Sequence, residues 1–118
     1  MLPLLRKAPS ACIVNVSSEL GSLTKTSDPA FAFAADRYLG YAASKAAVNM
    51  FTVQLAYELR NTAIKVNSAD PGYTATDLTG HGGTQTVAEG AVEIVRLALL
   101  PENGPTGSFS NKNGLVPW

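Results

Sequence analysis

Residues 41–72, YAASKAAVNMFTVQLAYELRNTAIKVNSADPG, read as a helix, a short joint and a strand in immediate succession. The helical pattern extends over residues 38–60, dense in Ala, Leu, Met, Gln, Lys and Glu, with no proline and no glycine after Gly40. Such residues lose little side-chain freedom in a helix. Ala43, Ala46, Ala47, Met50, Phe51, Leu55 and Leu59 wrap around much of its circumference. That pattern predicts burial on more than one side, against a sheet and against a second helix or subunit. Ala42, Ala43, Ala46 and Ala47 permit close approach of a neighbouring backbone. Asn61 and Thr62 make a normal short connection. AIKVNSA at 63–69 is then a strand, stopped by Asp70, Pro71 and Gly72.

Working outward, ACIVNV at 11–16 is nearly continuous and β-branched, followed by Ser17, Ser18 and Gly21. It suits a buried parallel strand ending at a polar edge. Residues 21–37 have no sustained period and contain Pro29, which predicts a long loop with about one helical turn. Loops of that length in compact domains often line a site. Residues 73–85, with Gly80, Gly82 and Gly83, read as a mobile loop. Thr86 and Glu89 have capping-box spacing and open a helix predicted to run to about Leu100, before Pro101. A short last strand is expected at 107–110. The order is βαβαβ, which implies an α/β fold with a parallel sheet. Ligands of such sheets lie beyond the carboxyl ends of the strands, here Ser17–Ser18, the turn at 71–72 and the start of the Tyr41 helix.

Composition narrows the partners. Nine basic residues balance nine acidic ones in 118 residues, which argues against nucleic acid, whose binders concentrate positive charge. One cysteine excludes an internal disulfide framework. Cys12, in an apolar run, is expected to be a buried small hydrophobe. MLPLLRKAPS puts apolar residues before its charges, the reverse of a signal peptide, so a reducing, cytoplasmic setting is expected. The longest periodic apolar run, 87–100, is interrupted by Glu89, Glu93 and Arg96, short of the roughly 20 residues of a membrane span. No cluster of His, Cys or acidic residues has metal-ligand spacing.

Tyr41, Ser44 and Lys45 stand at i, i+3 and i+4, on one helical face. A phenol alone is a poor base at neutral pH, but an ammonium one turn away favours the phenolate by opposite charge. Such a pair can give or take a hydroxyl proton, and a serine at a neighbouring strand end can hold the same oxygen. Tyr-x-x-x-Lys by itself is common on helices. Its context is not common: IVNVSSELG at 13–21, YAASKAAVNMFTVQLAYEL at 41–59 and IKVNSADPGYTATDL at 64–78 follow in order, with LPENGPTGSF at 100–109 closing the chain. Together these segments resemble the short-chain dehydrogenase/reductase family, and the carbonyl-reductase-like members in particular.

The resemblance implies a Rossmann-like doubly wound parallel sheet and NAD(P)-dependent reduction of a carbonyl compound, or oxidation of the corresponding alcohol. It implies Ser18 as the catalytic serine in preference to Ser17, Tyr41 as general acid or base, and Lys45 as its partner and a ligand of the nicotinamide ribose. Pro71, Gly72, Thr74 and Thr76 match the family's Pro-Gly-x-x-x-Thr segment beside the nicotinamide, and Tyr73, Leu78 and the loop to Gly83 would form part of a substrate lid. Ser44 would act locally, Asn49 and Asn67 would satisfy backbone groups, and His81 would be a surface residue. The resemblance also implies what to look for and not find. The glycine-rich T-G-x-x-x-G-x-G turn, the residue that selects NAD or NADP, and the family's N-N-A-G segment are not in these 118 residues. Residues 1–118 are therefore expected to be one incomplete domain, the carboxyl-terminal portion, with MLPLLRK the tail of a helix and residues 11–16 an edge strand. The interval of 23 residues from Ser18 to Tyr41 is longer than in many family members and resembles the insertion of carbonyl-reductase-like ones. A homo-oligomer through the 41–59 helix is a further implication. The alternative expectation is a catalytically inactive module that keeps this helix surface for dimerisation or a partner.

Overall fold

A computed structural model describes residues 1–36 and 38–118; the loop expected at 21–37 therefore ends on a residue, Arg37, that lies outside the described residues. In chain order the elements are α1 (Leu2–Leu5), β1 (Ala11–Val16), a 3-10 turn (Glu19–Gly21), α2 (Leu23–Thr26), α3 (Leu39–Glu58), β2 (Ile64–Ala69), a second 3-10 turn (Asp77–Thr79), α4 (Val87–Ala98), β3 (Phe109–Asn111) and β4 (Gly114–Leu115). The strands form one sheet in the order β1-β2-β3-β4. β1 pairs with β2 along its whole length, from Ala11 opposite Ile64 to Val16 opposite Ala69. β3 continues the parallel ladder and β4 returns antiparallel to it. The fold is the α/β, mostly parallel arrangement that the βαβαβ order predicts. The β4 hairpin was not anticipated, because a two-residue strand carries no periodic signal.

The helices cover opposite faces of the sheet. The Ser68 hydroxyl lies 2.8 Å from Thr52 Oγ1 on α3, whereas the Ser110 hydroxyl donates to Glu93 on α4. Ser110 is the register partner of Ala69, and adjacent strand residues point to opposite faces. On the α3 side, Ala56 and Leu59 pack against Ile64 and Val66, with Leu2 and Leu5 of α1 closing one end of the core. On the α4 side, Glu93 is buried. It accepts two hydrogen bonds from Arg96, at 2.8 and 2.7 Å, besides that from Ser110. Burial pushes this carboxyl upward, but the Arg96 and Ser110 hydrogen bonds outweigh it and hold the group below its ordinary value.

Three expectations need correction. The buried side of α3 is narrow and made of Asn49, Thr52 and Ala56, while Met50, Phe51, Val53 and Tyr57 are exposed. The sheet and the 3-10 turn at Glu19–Gly21 cover one side of the helix and leave these four side chains exposed. Cys12 is half-buried, because β1 is an edge strand of the sheet. Residues 73–85, expected to be a mobile loop, are cross-linked internally: Thr84 N–H donates to Tyr73 O at 2.9 Å, Ala75 N–H to Gln85 O at 2.9 Å, and Thr79 Oγ1 to Thr74 O at 2.8 Å. Glycines there admit close packing; a Cβ on Gly83 would overlap the Thr74 backbone. The capping box of α4 forms as read, with Thr86 and Glu89 bonding reciprocally. That helix stops at Ala98, slightly short of the expected end.

The chain's carboxyl end folds back to the region behind Ser18. Trp118 stacks on Phe109 with ring centroids 5.6 Å apart. The Ser22 hydroxyl donates to Pro117 O and the Thr24 hydroxyl to Trp118 O, both at 2.7 Å. Among the described residues no helix is long and apolar enough to cross a membrane.

A close backbone contact joins the turn after β1 to α3. A Cβ built on Gly21 would sit 2.6 Å from the Lys45 carbonyl carbon, so only glycine fits without displacing the helix. Gly21→Ala should therefore lower stability by about 1–3 kcal/mol, the usual penalty of overpacking. Gly40→Ala, where nothing lies within 4 Å of the new methyl, should raise it by up to about 1 kcal/mol through helix propensity. Urea unfolding of the two variants checks both signs.

Candidate active site

The carboxyl ends of β1 and β2, the first turns of α3 and one side of α4 enclose an open cavity of about 830 Å³. Parallel pairing is the cause: it brings Val16 and Ala69 into register, so the turns that follow both strands open on the same side. Ser17 and Ser18 enter from β1, Tyr41 and Lys45 from α3, and Pro71, Gly72, Thr74 and Thr76 from the segment after β2.

The two serines differ in environment. Ser17 is buried; its N–H extends the ladder to Ala69 O at 2.7 Å and its hydroxyl donates to the Lys45 carbonyl at 3.3 Å. Ser18 Oγ accepts the Leu20 N–H at 3.2 Å, capping the 3-10 turn. That bond uses a lone pair and not the hydroxyl proton. Tyr41 is 40% exposed, and its backbone carbonyl accepts the Ser44 hydroxyl at 2.7 Å, the local role expected for Ser44. Lys45 Nζ donates to Val16 O at 3.1 Å and lies 5.6 Å from the Tyr41 ring centroid. The ammonium is thus tied to the end of β1 while standing beside the phenol, with further protons to donate.

The segment after β2 is held from several directions. Gly72 has φ +77°, a left-handed conformation that disfavours any side chain. Thr74 Oγ1 donates to Gly72 O at 3.1 Å and accepts from Gln85 Nε2 at 3.0 Å. Thr76 N–H donates to Thr79 Oγ1 at 3.1 Å. Tyr73 and Leu78 border the cavity as expected of lid residues, and Phe33, from the long loop before α3, meets Tyr73 edge-on with centroids 6.0 Å apart. Asn49 and Asn67 serve backbone groups, Asn49 Nδ2 donating to Gly21 O at 3.3 Å and Asn67 Nδ2 to Pro105 O at 2.9 Å. His81 is exposed and 3.0 Å from Asp77.

Asp70 is the cavity residue that sequence reasoning passed over, read only as a strand terminator. It is buried, borders the cavity, and accepts the Gly72 N–H at 3.1 Å and Asn111 Nδ2 at 3.4 Å. Burial pushes its carboxyl above the ordinary value. The Gly72 and Glu19 N–H groups and the Asn111 amide oppose that push, and the Glu19 carboxylate adds to it. The only signal available was position, a carboxyl immediately before a Pro-Gly turn at a strand end.

Comparisons with known proteins identify the family of the chain. The family model of the short chain dehydrogenases matches residues 1–86. The chain belongs to the short-chain dehydrogenase family. Among curated members it is 32% identical to (-)-isopiperitenone reductase of Mentha piperita, over 92% of this chain and 45% of that one. Among solved structures it is similar to the carbonyl reductase Sniffer of D. melanogaster, with a TM-score of 0.78 and 28% identity over 99% of this chain and 49% of that one. It is also similar to the NADPH-bound carbonyl reductase from chicken fatty liver, with a TM-score of 0.77 and 32% identity over 99% and 49%. The chain spans about half the length, or less, of the curated short-chain dehydrogenases it matches.

Because the folded state of this dehydrogenase domain raises the Asp70 pKa, ionising the carboxyl works against folding. Its favourable contribution is complete below the unfolded-state pKa and is lost as pH rises through the folded value. Asp70→Asn cannot ionise. The stability of the variant relative to the wild type should therefore be greater at pH 7 than at about pH 3, as measured by urea unfolding at the two values. A difference that falls with rising pH would show that the fold favours the Asp70 anion.

Proposed function

We propose that this chain carries the catalytic wall of an NAD(P)-dependent oxidoreductase acting on a carbonyl compound or its alcohol. One observation carries the reading: a serine, a tyrosine and a lysine from two separate elements border one cavity, with the Pro71–Gly72 turn beside them. A cavity of about 830 Å³ is within the range of cofactor and substrate sites.

The donor set suits the nicotinamide-ribose end of the dinucleotide. A lysine ammonium with protons beyond the one given to Val16 O can bond ribose hydroxyls, and the Thr76 hydroxyl and the backbone of 71–76 can receive the carboxamide. When bound, the reduced nicotinamide supplies the hydride. The glycine-rich turn that would receive the pyrophosphate is not in this sequence, so the fit concerns the nicotinamide end alone. Two of the similar solved structures are carbonyl reductases, which supports the chemistry.

In this reading Ser18 donates its hydroxyl proton in a hydrogen bond to the substrate oxygen and so orients it. Tyr41 transfers the phenolic proton to that oxygen during reduction and takes it back during oxidation. Lys45, fixed to the end of β1, stabilises the phenolate left behind by opposite charge and joins the tyrosine to the ribose. Ser17 holds the α3 backbone and takes no part in proton transfer.

A second reading, a partner-binding module without catalysis, is favoured by the exposed Met50, Phe51 and Tyr57 on α3. Titration with NADPH and NADH separates the two. Micromolar binding of either supports the oxidoreductase reading, and no binding up to millimolar concentration defeats catalysis by this chain alone. In a chain that turns over, Tyr41→Phe should reduce kcat by at least about a hundredfold, as removal of a general acid does, with dinucleotide affinity unchanged. Retained turnover would overturn the role of Tyr41.

A further inference from the structure

The peptide group between Pro71 and Gly72 is gripped at both ends. Its N–H donates to Asp70 Oδ1 at 3.1 Å, and its C=O accepts from the side-chain amide of Gln85. The same amide nitrogen donates to Thr74 Oγ1 at 3.0 Å, while Gln85 Oε1 accepts from Lys112 Nζ at 2.7 Å. Both N–H donors and the carbonyl of Gln85 are therefore engaged, and its backbone carbonyl takes the Ala75 N–H as well, at 2.9 Å. A peptide group is planar, so fixing its oxygen and its hydrogen fixes the plane. The neighbouring Gly72 is held at φ +77°, and a Cβ there would lie 3.0 Å from Gln85 Nε2.

Thr74 is enclosed by the same arrangement. Its hydroxyl gives its proton to Gly72 O and a lone pair to Gln85. A Cβ on Gly90 would come within 2.5 Å of that oxygen. The sequence motif matches both Thr74 and Thr76, with the Thr76 hydroxyl expected at the carboxamide; the hydrogen bonds tie Thr74 into the segment's own backbone.

We infer that Gln85, anchored by Lys112, is a positioning residue that sets residues 71–75 in the shape offered to a bound nicotinamide. Thr74 belongs to that scaffold. The role toward a nicotinamide rests on the function proposed above, whereas the grip on the 71–75 backbone does not.

Amide hydrogen exchange on the 118-residue chain tests the grip. Gln85→Leu keeps the side chain's approximate size and removes all three hydrogen bonds. It should accelerate exchange at residues 72–76 by about tenfold, the worth of one to two net hydrogen bonds, while amides of β1 and β2 hold their rates. Unchanged exchange at 72–76 overturns the inference. Should Gln85→Leu loosen the strands too, Lys112→Met decides, since it removes only the anchor: acceleration confined to 72–76 supports the inference and its absence overturns it. NADPH titration is the second arm. If the wild type binds, Gln85→Leu should weaken binding by about tenfold without moving the unfolding midpoint, and equal affinity overturns the role toward the nicotinamide. A wild type that binds neither dinucleotide defeats catalysis by this chain alone, and the exchange result still decides the role of Gln85.

Discussion

The separation between the end of β1 and the first turns of α3 is set by Gly21, whose α-carbon faces the backbone of Lys45 and Ala46 with no room for a methyl group. Close packing of this kind brings backbone polar groups into bonding range. Asn49 reaches the Gly21 carbonyl, Ser17 reaches the Lys45 carbonyl, and Lys45 reaches back to Val16. Further along the helix, Asn15, Thr52 and Ser68 form a polar seam across β1, α3 and β2. A buried hydroxyl seam is satisfied in one register only, since a one-residue slip would leave each group unpaired. The seam and the glycine contact together fix the distance between the serine and the Tyr41–Lys45 pair, and the candidate chemistry depends on that distance.

The opposite wall follows a different logic. Residues 71–76 are not regular secondary structure, so the sheet ladder does not shape them. They are shaped by side chains from elsewhere: Asp70 at the end of β2, Gln85 before α4, and Lys112 in the final hairpin. Asp70 also stands between the two walls: its carboxyl accepts the Gly72 N–H, and it borders the cavity together with Ser18 and Glu19. Its burial works against the anion and the hydrogen bonds work for it. The net upward shift shows that burial is the larger effect at this position.

Much of the fold was legible because its signals are local. A β-branched run ended by Ser-Ser, an alanine-rich helix and a strand ended by Asp-Pro-Gly carry their own boundaries, and the capping box at Thr86 and Glu89 marks a helix start. The errors arose where composition has no directional content. Met50 and Phe51 look like core residues, yet the sheet and the turn at Glu19–Gly21 take the small and polar side of α3. Gly80, Gly82 and Gly83 look like looseness, yet close packing needs glycine as much as freedom does. Gly83 is pressed against Thr74. Asp70 and Gln85 were passed over because nothing in a residue's neighbours reveals a partner 41 or 14 positions away.

The sequence by itself determined the α/β class, the order of elements and the residue types of the candidate serine, tyrosine and lysine trio, since each depends on spacing within one segment or on order along the chain. Only the tertiary structure decided which serine turns its hydroxyl to the helix backbone, which threonine is spent on scaffolding, and which face of α3 is covered. Those outcomes depend on hydrogen bonds and steric contacts between segments far apart in the chain. Such contacts exist only once β1, β2 and β3 have aligned in parallel and carried their trailing turns to one end of the sheet.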